Sequence, residues 1–371
     1  MKEALALARA GAEVHVRGVM LNPAWVPLDR ALLSPAFSFD YVGSRSAVAR
    51  LRRGLARRVP ALRLPERFGA APLELRRAAR ALRPDLVIAH SEAALWAAEQ
   101  LAGDGLRVGV DLEDWFSQDL TPEARASRPV AELESLEGAL LRRGAYRLTT
   151  SKALASALAA HHGVEPPGVV RNVFPLGSEP RIESAPRLRV HWFSQTIGPG
   201  RGLELLFRAL PSVSGPVEVH LRGMLYDRYK SWLEAQIPPG WRDRVAVHDP
   251  VPNAALHDAI GAHDVGLALE TRSIPSRDLT ITNKFFQYLA GGLAVVATRT
   301  AGQCEAMAEA PGAGVLVGED PAELAEALNA LAAEPGRTLA MRRAAREAAR
   351  ERLCWEHEEA RLLAEFTKAR G

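Results

Sequence analysis

The chain has 371 residues, of which 47% are hydrophobic and 25% are charged. That length exceeds one ordinary hydrophobic core and predicts about two domains of a globular protein. No apolar run approaches the roughly 18 residues of a membrane-spanning helix, and the N-terminus has no signal-peptide core. A net charge of +3 does not indicate nucleic-acid binding. Two cysteines are too few for a disulfide framework, which favours a cytoplasmic location.

The first predicted element is a helix at residues 2–9, and a strand follows within residues 13–19. A parallel α/β domain ordinarily begins with a strand and a Gly-rich turn ahead of its first helix. The sequence therefore predicts a first domain that lacks its first strand, or a true start codon upstream of Met1.

Residues 45–67 are rich in arginine, and Leu51, Leu55 and Val59 recur among them at helical spacing. A basic amphipathic helix is suited to lie on an anionic membrane surface or to hold an acidic acceptor. The alternative is a solvated helix face. The first interpretation predicts peripheral contact with the inner face of a membrane.

Two strands are predicted between residues 84 and 111, with one helix between them. His90 and Asp111 end these strands, and Glu113 and Asp114 follow the second. Functional groups gather at the carboxyl ends of parallel strands, and carboxylates there bind divalent metals or act as acids and bases. The acidic run is a weak metal motif, so we assign no metal site. A lone histidine at a strand end is more often structural.

A proline-containing segment without apolar periodicity, residues 175–187, predicts a linker. It separates a first domain, residues 1–174, from a second domain, residues 188–350, and a C-terminal helix covers residues 351–371. The predicted fold class is α/β, with two Rossmann-like parallel-sheet domains that face an interdomain cleft.

The second domain begins with a predicted strand, the turn SQTIGPGRG at residues 194–202, and a helix. A strand, a Gly-rich turn and a helix predict a cradle for phosphate, although the turn matches neither the Walker motif nor GxGxxG. The candidate residues in this turn are Ser194, Gln195, Gly198, Gly200 and Arg201.

Residues 264–298 contain two apolar runs of strand length on either side of a polar loop and a short helix. The loop and the first helical turn are expected to face a ligand crevice, where free N–H groups, the helix dipole and a lysine favour an anion. An ordinary capped helix is the alternative. The candidate residues are Glu270, Thr282, Asn283, Lys284 and Gln287.

The second half of the chain resembles the nucleotide-sugar-binding domain of retaining GT-B glycosyltransferases of the family 4 type (glycosyl transferases group 1). The resemblance is carried by SQTIGPGRGLELLFRAL, VAVHDPVPNAALHDAIGAHDVGLAL, NKFFQYLAGGLAVVAT and LCWEHEEARLLAEF. The first domain resembles the family more loosely, through PDLVIAHSEAALWAA, VDLEDWF and LTTSKALASALAAHHGV.

This resemblance implies a hexosyltransferase-type enzyme of cell-envelope or polysaccharide biosynthesis. It would move a sugar from a nucleotide-diphosphate donor to a glycan, lipid-linked or small-molecule acceptor, with retention and without a metal or cofactor. Arg201 matches one of the two basic residues that neutralise the donor's pyrophosphate in this family, and Gln195 stands at the other position. Lys284 is expected to supply the lost cation.

Further positions also depart from the family. Gln287 stands where a carboxylate normally binds the ribose hydroxyls, and Glu113 stands before Asp114 where the family has a histidine. Either Glu270 or Asp278 would contact the transferred sugar. On the acceptor side we expect His90 and Asp111. The expected catalytic residues are Arg201, Lys284, Glu113 and Asp114.

These departures leave other functions open. One is a non-catalytic GT-B module that serves as a partner subunit with a degenerate donor site. Another is a sugar-nucleotide epimerase on the same architecture. A dinucleotide-dependent enzyme is disfavoured because no GxGxxG motif follows a strand.

Overall fold

The computed structural model describes residues 1–370 except 21–22, 24–25, 44–46, 60–61, 63, 122–124 and 127. The chain forms two compact units. Unit 1 comprises Met1–Thr150, Leu154–Arg171 and Glu359–Gly371, and unit 2 comprises Ser151–Ala153 and Asn172–Glu358. Within the described residues, no helix is both long enough and apolar enough to span a membrane.

Residues 1–171 contain short parallel strands that alternate with helices. The strands are β1 (His15–Val19), β2 (Ser38–Val42), β3 (Val87–Ala89), β4 (Val108–Leu112), β5 (Tyr146–Thr149) and β6 (Gly168–Val169). The helices are α1 (Lys2–Arg9), α2 (Val26–Arg30), α3 (Ala47–Arg58), α4 (Pro72–Leu82), α5 (Glu92–Gly103), α6 (Val130–Arg143) and α7 (Lys152–His162).

The strands of unit 1 form two sheets rather than one. β1 pairs with β2, and a second sheet has the order β3-β4-β5-β6, with every pair parallel. Helix α4 packs on β1, β2 and α5, while α5 packs on β3 and β4, so one helical layer covers both sheets. Among the described residues, β1 and β3 each have one unpaired edge. The unit begins with a helix, as the sequence predicts.

Residues 172–358 form a larger α/β arrangement, and the last helix of the chain begins there and continues into unit 1. The strands are β7 (Leu188–Thr196), β8 (Val217–Met224), β9 (Val245–His248), β10 (Val265–Ala268), β11 (Ala294–Thr298) and β12 (Gly314–Val317). The helices are α8 (Leu203–Ala209), α9 (Asp227–Gln236), α10 (Asn253–Gly261), α11 (Pro275–Leu279), α12 (Asn283–Ala290), α13 (Ala301–Glu309), α14 (Pro321–Ala333), α15 (Pro335–Glu351) and α16 (Trp355–Arg370).

The sheet of unit 2 is wholly parallel, with the order β12-β11-β10-β7-β8-β9. All residues of β10 and β11 are buried, which explains why both read as continuous apolar runs rather than alternating ones. The predicted α/β class with parallel sheets in two domains is confirmed. The strand order reverses between β7 and β10, and ligands of open α/β sheets bind at the carboxyl ends of the strands at such a point.

Helix α12 lies unusually close to the sheet because Gly266 has no side chain. A Cβ atom on Gly266 would lie 2.2 Å from the ring of Tyr288. The Tyr288 hydroxyl donates to the carbonyl oxygens of His191 and Leu267, each at 3.3 Å. These contacts anchor the helix that carries Lys284 and Gln287.

The segment predicted as a linker is hydrogen-bonded to α15. Arg342, which is fully buried, donates to the carbonyl oxygen of Glu183 at 2.9 Å and to Asp264 Oδ1 at 2.7 Å. One turn later, Arg346 donates to the carbonyl oxygens of Leu176 and Ala290, each at 2.7 Å. Two buried arginines therefore supply hydrogen bonds that an irregular backbone needs.

Helices α15 and α16 are separated by a break at residues 352–354. Arg352 leaves helical geometry, with φ −143° and ψ −35°. The backbone N–H of Trp355 donates instead to the carbonyl oxygen of Phe174 at 3.0 Å.

Replacement of Arg342 tests how much its hydrogen bonds contribute to the free energy of unfolding. We expect Arg342→Met to destabilise unit 2 by about 3–5 kcal/mol, because it removes one of the two arginines paired with the buried Asp264 carboxylate and leaves several carbonyl groups unpaired. Urea unfolding measures the effect. Arg343→Met is the matched control because Arg343 is exposed on the same helix, and it should change stability by less than about 0.5 kcal/mol. Equal losses in both variants would contradict the assignment.

Candidate functional site

The strand order of unit 2 reverses between β7 and β10, and we call this place the switch point. It brings together two chain segments that the sequence analysis selected as candidates. β10 pairs with β7 through Val265 and Gly266, and each strand leads at its carboxyl end into a polar segment. Gly202 has φ +81°, and a Cβ atom there would lie 2.5 Å from the carbonyl oxygen of Leu269. The turn after β7 therefore packs directly against the residue that precedes Glu270.

The Gly-rich turn is fixed by hydrogen bonds to Gly200. Its N–H donates to Glu204 Oε1 at 2.6 Å, and its carbonyl oxygen accepts from Arg277 Nη1 at 2.9 Å. Trp192 Nε1 donates to the backbone oxygen of Arg201 at 3.2 Å, and the Arg201 side chain is exposed. Arg277 was missed in the sequence because nothing in its local pattern indicates this tertiary contact.

Ser194 and Gln195 lie in the last part of β7, before the turn. Gln195 is exposed and Ser194 is half-buried. A Cβ atom on Gly223 of β8 would lie 2.4 Å from the carbonyl oxygen of Ser194, which shows how tightly the two strands approach there. Gly198 is buried between Ile197 and the exposed part of the turn.

Glu270 and Lys284 form an ion pair. Lys284 Nζ lies 3.0 Å from Glu270 Oε1, and the two side chains are only 11% and 16% exposed. Thr298 fixes the loop, because its hydroxyl accepts from the N–H of Glu270 and donates to the Glu270 carbonyl oxygen, each at 2.7 Å. The predicted anion-binding lysine thus has an anionic partner within the protein.

The first turn of α12 presents polar groups. Thr282 occupies the N-cap position but makes no side-chain capping bond, so the ordinary capped helix is not observed. Asn283 is exposed in the first turn. Gln287 Oε1 is buried and has no hydrogen-bond partner among the described atoms. A buried amide oxygen without a partner calls for an explanation, and a ligand hydroxyl would satisfy it.

Asp278 has a structural contact. Its Oδ1 accepts from the backbone N–H of Ala301 at 3.1 Å, at the start of α13. Of the two acidic residues proposed from the sequence for contact with a sugar, Glu270 is the one paired with Lys284, on the helix that carries Gln287.

Unit 1 brings His90, Asp111 and Glu113 together at the carboxyl ends of β3 and β4. His90 Nδ1 lies 3.7 Å from Asp111 Oδ2 and 3.5 Å from Glu113 Oε1. Glu3 of α1 joins them, with Oε2 at 3.9 Å from His90 Nε2. No sequence signal connects Glu3 with residues so distant in the chain. Asp114 lies in the turn after β4.

The charges of this cluster shift the pKa values of its members. Desolvation lowers the pKa of His90, but Glu113, Asp111 and Glu3 outweigh it and raise that pKa to about 9. Burial and the neighbouring Glu3 raise the pKa of Asp111 to about 7. The hydrogen-bonding interaction with His90 lowers the pKa of Glu113. These shifts mark a perturbed polar site.

The basic segment 45–67 is described in part. Residues 45–46, 60–61 and 63, and the side chains of Arg53 and Arg57, lie outside the described residues. Arg52 Nε donates to Glu66 Oε1 at 2.5 Å, and Arg52 Nη2 donates to Glu66 Oε2 at 3.2 Å. Four large apolar side chains of the segment are exposed: Leu51 (62%), Leu55 (37%), Val59 (39%) and Leu62 (52%).

Two family models match the chain. One, described as a glycosyl transferase 4-like domain, matches residues 2–177, and the other, described as glycosyl transferase-like, matches residues 201–364. The chain is a glycosyltransferase of the group 1, family 4 type. The resemblance inferred from its motifs is confirmed. A search of curated proteins found no sequence match.

Solved structures show that the enzyme has the GT-B fold. Sucrose-phosphate synthase from Thermosynechococcus elongatus matches with a TM-score of 0.77 and 16% identity, over 99% of this chain and 91% of that one. HepE of Anabaena in complex with UDP-glucose matches with a TM-score of 0.72 and 18% identity, over 99% of this chain and 94% of that one. A UDP-forming α,α-trehalose-phosphate synthase from Burkholderia xenovorans matches with a TM-score of 0.67 and 14% identity, over 97% of this chain and 100% of that one.

A double-mutant cycle tests the Glu270–Lys284 pair. Each single change, Glu270→Gln or Lys284→Met, leaves one largely buried charge unpaired and should cost about 3–5 kcal/mol of unfolding free energy. The double variant should lose less than either single variant. Lys230→Met removes an exposed ion pair with Asp227 and should leave the unfolding transition close to that of wild type. Additive losses in the urea unfolding of the double variant would refute the coupling.

Proposed function

We propose that the enzyme transfers a sugar from a nucleotide-diphosphate donor to an acceptor with retention of configuration, through an oxocarbenium-like transition state. The observation that carries this proposal is the switch point of unit 2, where the Gly-rich turn, Arg201, Arg277 and the first turn of α12 follow adjacent strands. Retention rests on the family 4 resemblance. The family match to transferases favours sugar transfer over epimerisation.

UDP is the donor nucleotide that we propose. HepE was solved with UDP and with UDP-glucose, and the trehalose-phosphate synthase is described as UDP-forming. The support comes from structures that share the fold over almost the whole chain. The sugar and the acceptor stay open, and the acceptor is a glycan, a lipid-linked molecule or a small molecule.

Arginine side chains would neutralise the pyrophosphate in place of a metal. Arg201 lies on the Gly-rich turn, and Arg277 contacts the same turn through Gly200. We assign to Arg277 the cationic role that the family gives to the position of Gln195. The first turn of α12, which has no side-chain N-cap, adds the positive end of the helix dipole. Because Lys284 is already paired, it acts with Glu270 rather than as an isolated cation.

The remaining donor contacts are assigned to polar groups that follow β7 and β10. Gln287 Oε1, which has no described partner, would accept from a ribose hydroxyl. Glu270 would accept from hydroxyls of the transferred sugar, with Lys284 holding its carboxylate in place. Ser194, Thr282 and Asn283 complete the proposed donor site.

In unit 1 we propose an acceptor-side role for His90, Asp111, Glu113 and Asp114. The support is their position at the carboxyl ends of β3 and β4 and the shifted pKa values of the first three. A carboxylate beside an imidazole binds hydroxyl groups and takes up or releases a proton.

Calorimetry in EDTA tests the donor site. Wild type should bind UDP in EDTA, and a second titration with Mg²⁺ in excess and no EDTA should give the same affinity. Arg201→Ala and Arg277→Ala should each weaken UDP binding roughly 10- to 100-fold, because each removes a charge-assisted contact of about 1.5–3 kcal/mol. Arg201→Ala should also slow turnover about 100-fold. The anomeric configuration of the product, read by NMR, tests retention.

Two controls make the calorimetry specific. Arg208→Ala removes an exposed arginine of α8 that bonds only to the Glu204 backbone in the described structure, and it should bind UDP like wild type. Uridine has no phosphate, so its affinity should be equal in all variants. A requirement for Mg²⁺ or full affinity in both arginine variants would exclude the proposed pyrophosphate site.

We also propose that the segment 45–67 contacts anionic membranes from the cytoplasmic side. The support is the row of exposed apolar residues, with Leu51 and Leu55 one turn apart on α3, among arginines. The arrangement suits a lipid-linked acceptor.

Vesicle flotation tests the membrane proposal. Wild type should float with anionic vesicles and less with neutral ones. Leu51→Asp/Leu55→Asp should lose at least about 10-fold in partitioning, since burial of each leucine contributes about 1.5–3 kcal/mol. Leu32→Asp replaces another exposed leucine of unit 1 and should float like wild type. Equal flotation of all three proteins would reject the contact.

A further inference from the structure

A buried carboxylate of α6 contacts the segment that follows β4. Glu137 is fully buried and accepts two hydrogen bonds from one residue. The Ser117 backbone N–H donates to Oε1 at 3.0 Å, and the Ser117 hydroxyl donates to Oε2 at 2.6 Å. Ser117 lies in a single 3-10 turn, Phe116–Gln118, shortly after Glu113 and Asp114. Each oxygen of the Glu137 carboxylate therefore holds this turn.

The other end of the segment is fixed from the end of β5. The Thr149 hydroxyl donates to the carbonyl oxygen of Leu112 at 2.7 Å, and the Thr150 hydroxyl donates to that of Glu113 at 3.0 Å. These bonds fix the chain where it leaves β4, and the bonds to Glu137 fix it a turn later. A short segment held at both ends has few backbone conformations open to it. The orientation of the Glu113 side chain therefore depends on both anchors.

Glu137 is costly to bury for a residue that only fills space. Within the described residues no lysine, arginine or histidine forms an ion pair with it, and the neighbouring charges of Glu134 and Glu92 are also negative. Burial raises the pKa of Glu137 to about 7, while the two bonds from Ser117 lower it. A leucine would fill a similar volume without this cost, so the carboxylate is explained by its hydrogen bonds to the turn.

We propose that Glu137 is a positioning residue for the acceptor side: through Ser117 it holds the segment after β4 so that the Glu113 carboxylate stays beside His90. The distance that depends on this contact is the 3.5 Å from Glu113 Oε1 to His90 Nδ1. This role rests on the acceptor-side function proposed above for Glu113. Glu137 itself is buried and acts only through the turn.

An NMR titration of the histidine side chains in the full-length protein tests the proposal. Burial lowers the pKa of His90, but Glu113 and two other carboxylates raise it to about 9. The chain has ten histidines, and the signal lost in His90→Gln identifies His90. Glu137→Leu removes both bonds to Ser117, so Glu113 should move away and the pKa of His90 should fall by about one pH unit or more. Ser117→Ala removes one bond and should give a smaller fall.

Two further variants separate positioning from other effects. Glu137→Gln can form both bonds, since its amide oxygen accepts from the Ser117 N–H and its NH2 group donates to the Ser117 hydroxyl oxygen, so His90 should titrate as in wild type. Glu134→Leu is the matched control. It changes a carboxylate that is 39% exposed one turn earlier on α6 and pairs with His161, and it should leave His90 unchanged. Circular dichroism checks that each variant folds.

Two results would overturn the proposal. An unchanged His90 pKa in folded Glu137→Leu, whatever its melting temperature, would leave Glu137 with a structural role alone. An equal fall in Glu137→Gln and Glu137→Leu would assign the effect to the lost charge rather than to the bonds. If Glu137→Leu does not fold, Ser117→Ala decides by the first criterion. None of these results depends on sugar transfer, so failure of the positioning role and failure of the proposed function are distinguishable.

Discussion

The buried carboxylate of Asp264 is the interaction on which unit 2 depends. It is 4% exposed and accepts from the backbone N–H of Arg189 at 3.0 Å, from the Arg189 guanidinium at 2.9 Å, and from Arg342 at 2.7 Å. These bonds join the amino ends of β7 and β10 to α15. A buried charge is tolerable only with such complete pairing. The two switch-point strands are therefore locked at one end, and their other ends carry the polar segments.

The two ends of β7 and β10 therefore differ: the amino ends are fixed by ion pairs, and the carboxyl ends carry the proposed site residues. At the amino ends, charges are paired and fixed. At the carboxyl ends, the Glu270–Lys284 pair keeps some exposure to solvent, and the oxygen of Gln287 has no described partner. A ligand in the proposed donor site would exchange one set of polar contacts for another. The internal ion pair fixes Lys284 at a smaller desolvation cost than an isolated lysine would have.

The sequence predicted the parts of this fold that depend on local pattern. The strands on either side of Lys284, the short helix and its end at Gly291 follow from apolar runs and turn residues. Two of the site residues were not predictable in this way. Arg277 reaches the Gly-rich turn only through tertiary packing, and Glu3 meets His90 across more than eighty residues. The bonds from Arg342 to the 175–187 segment are likewise invisible in the local sequence.

The substitutions at Gln195 and Gln287 change the charge of the proposed donor site in opposite directions. Relative to the family pattern, the first removes one positive charge and the second removes one negative charge, so these two changes cancel. Arg277 then adds a cation beside the Gly-rich turn and makes the proposed site one charge more positive, while the Lys284–Glu270 pair contributes no net charge. Gln287 would form neutral hydrogen bonds of about 0.5–1.5 kcal/mol where a carboxylate would form charge-assisted ones of about 1.5–3 kcal/mol. Nucleotide affinity in this enzyme should therefore depend more on the phosphate contacts of Arg201 and Arg277 than on recognition of the ribose.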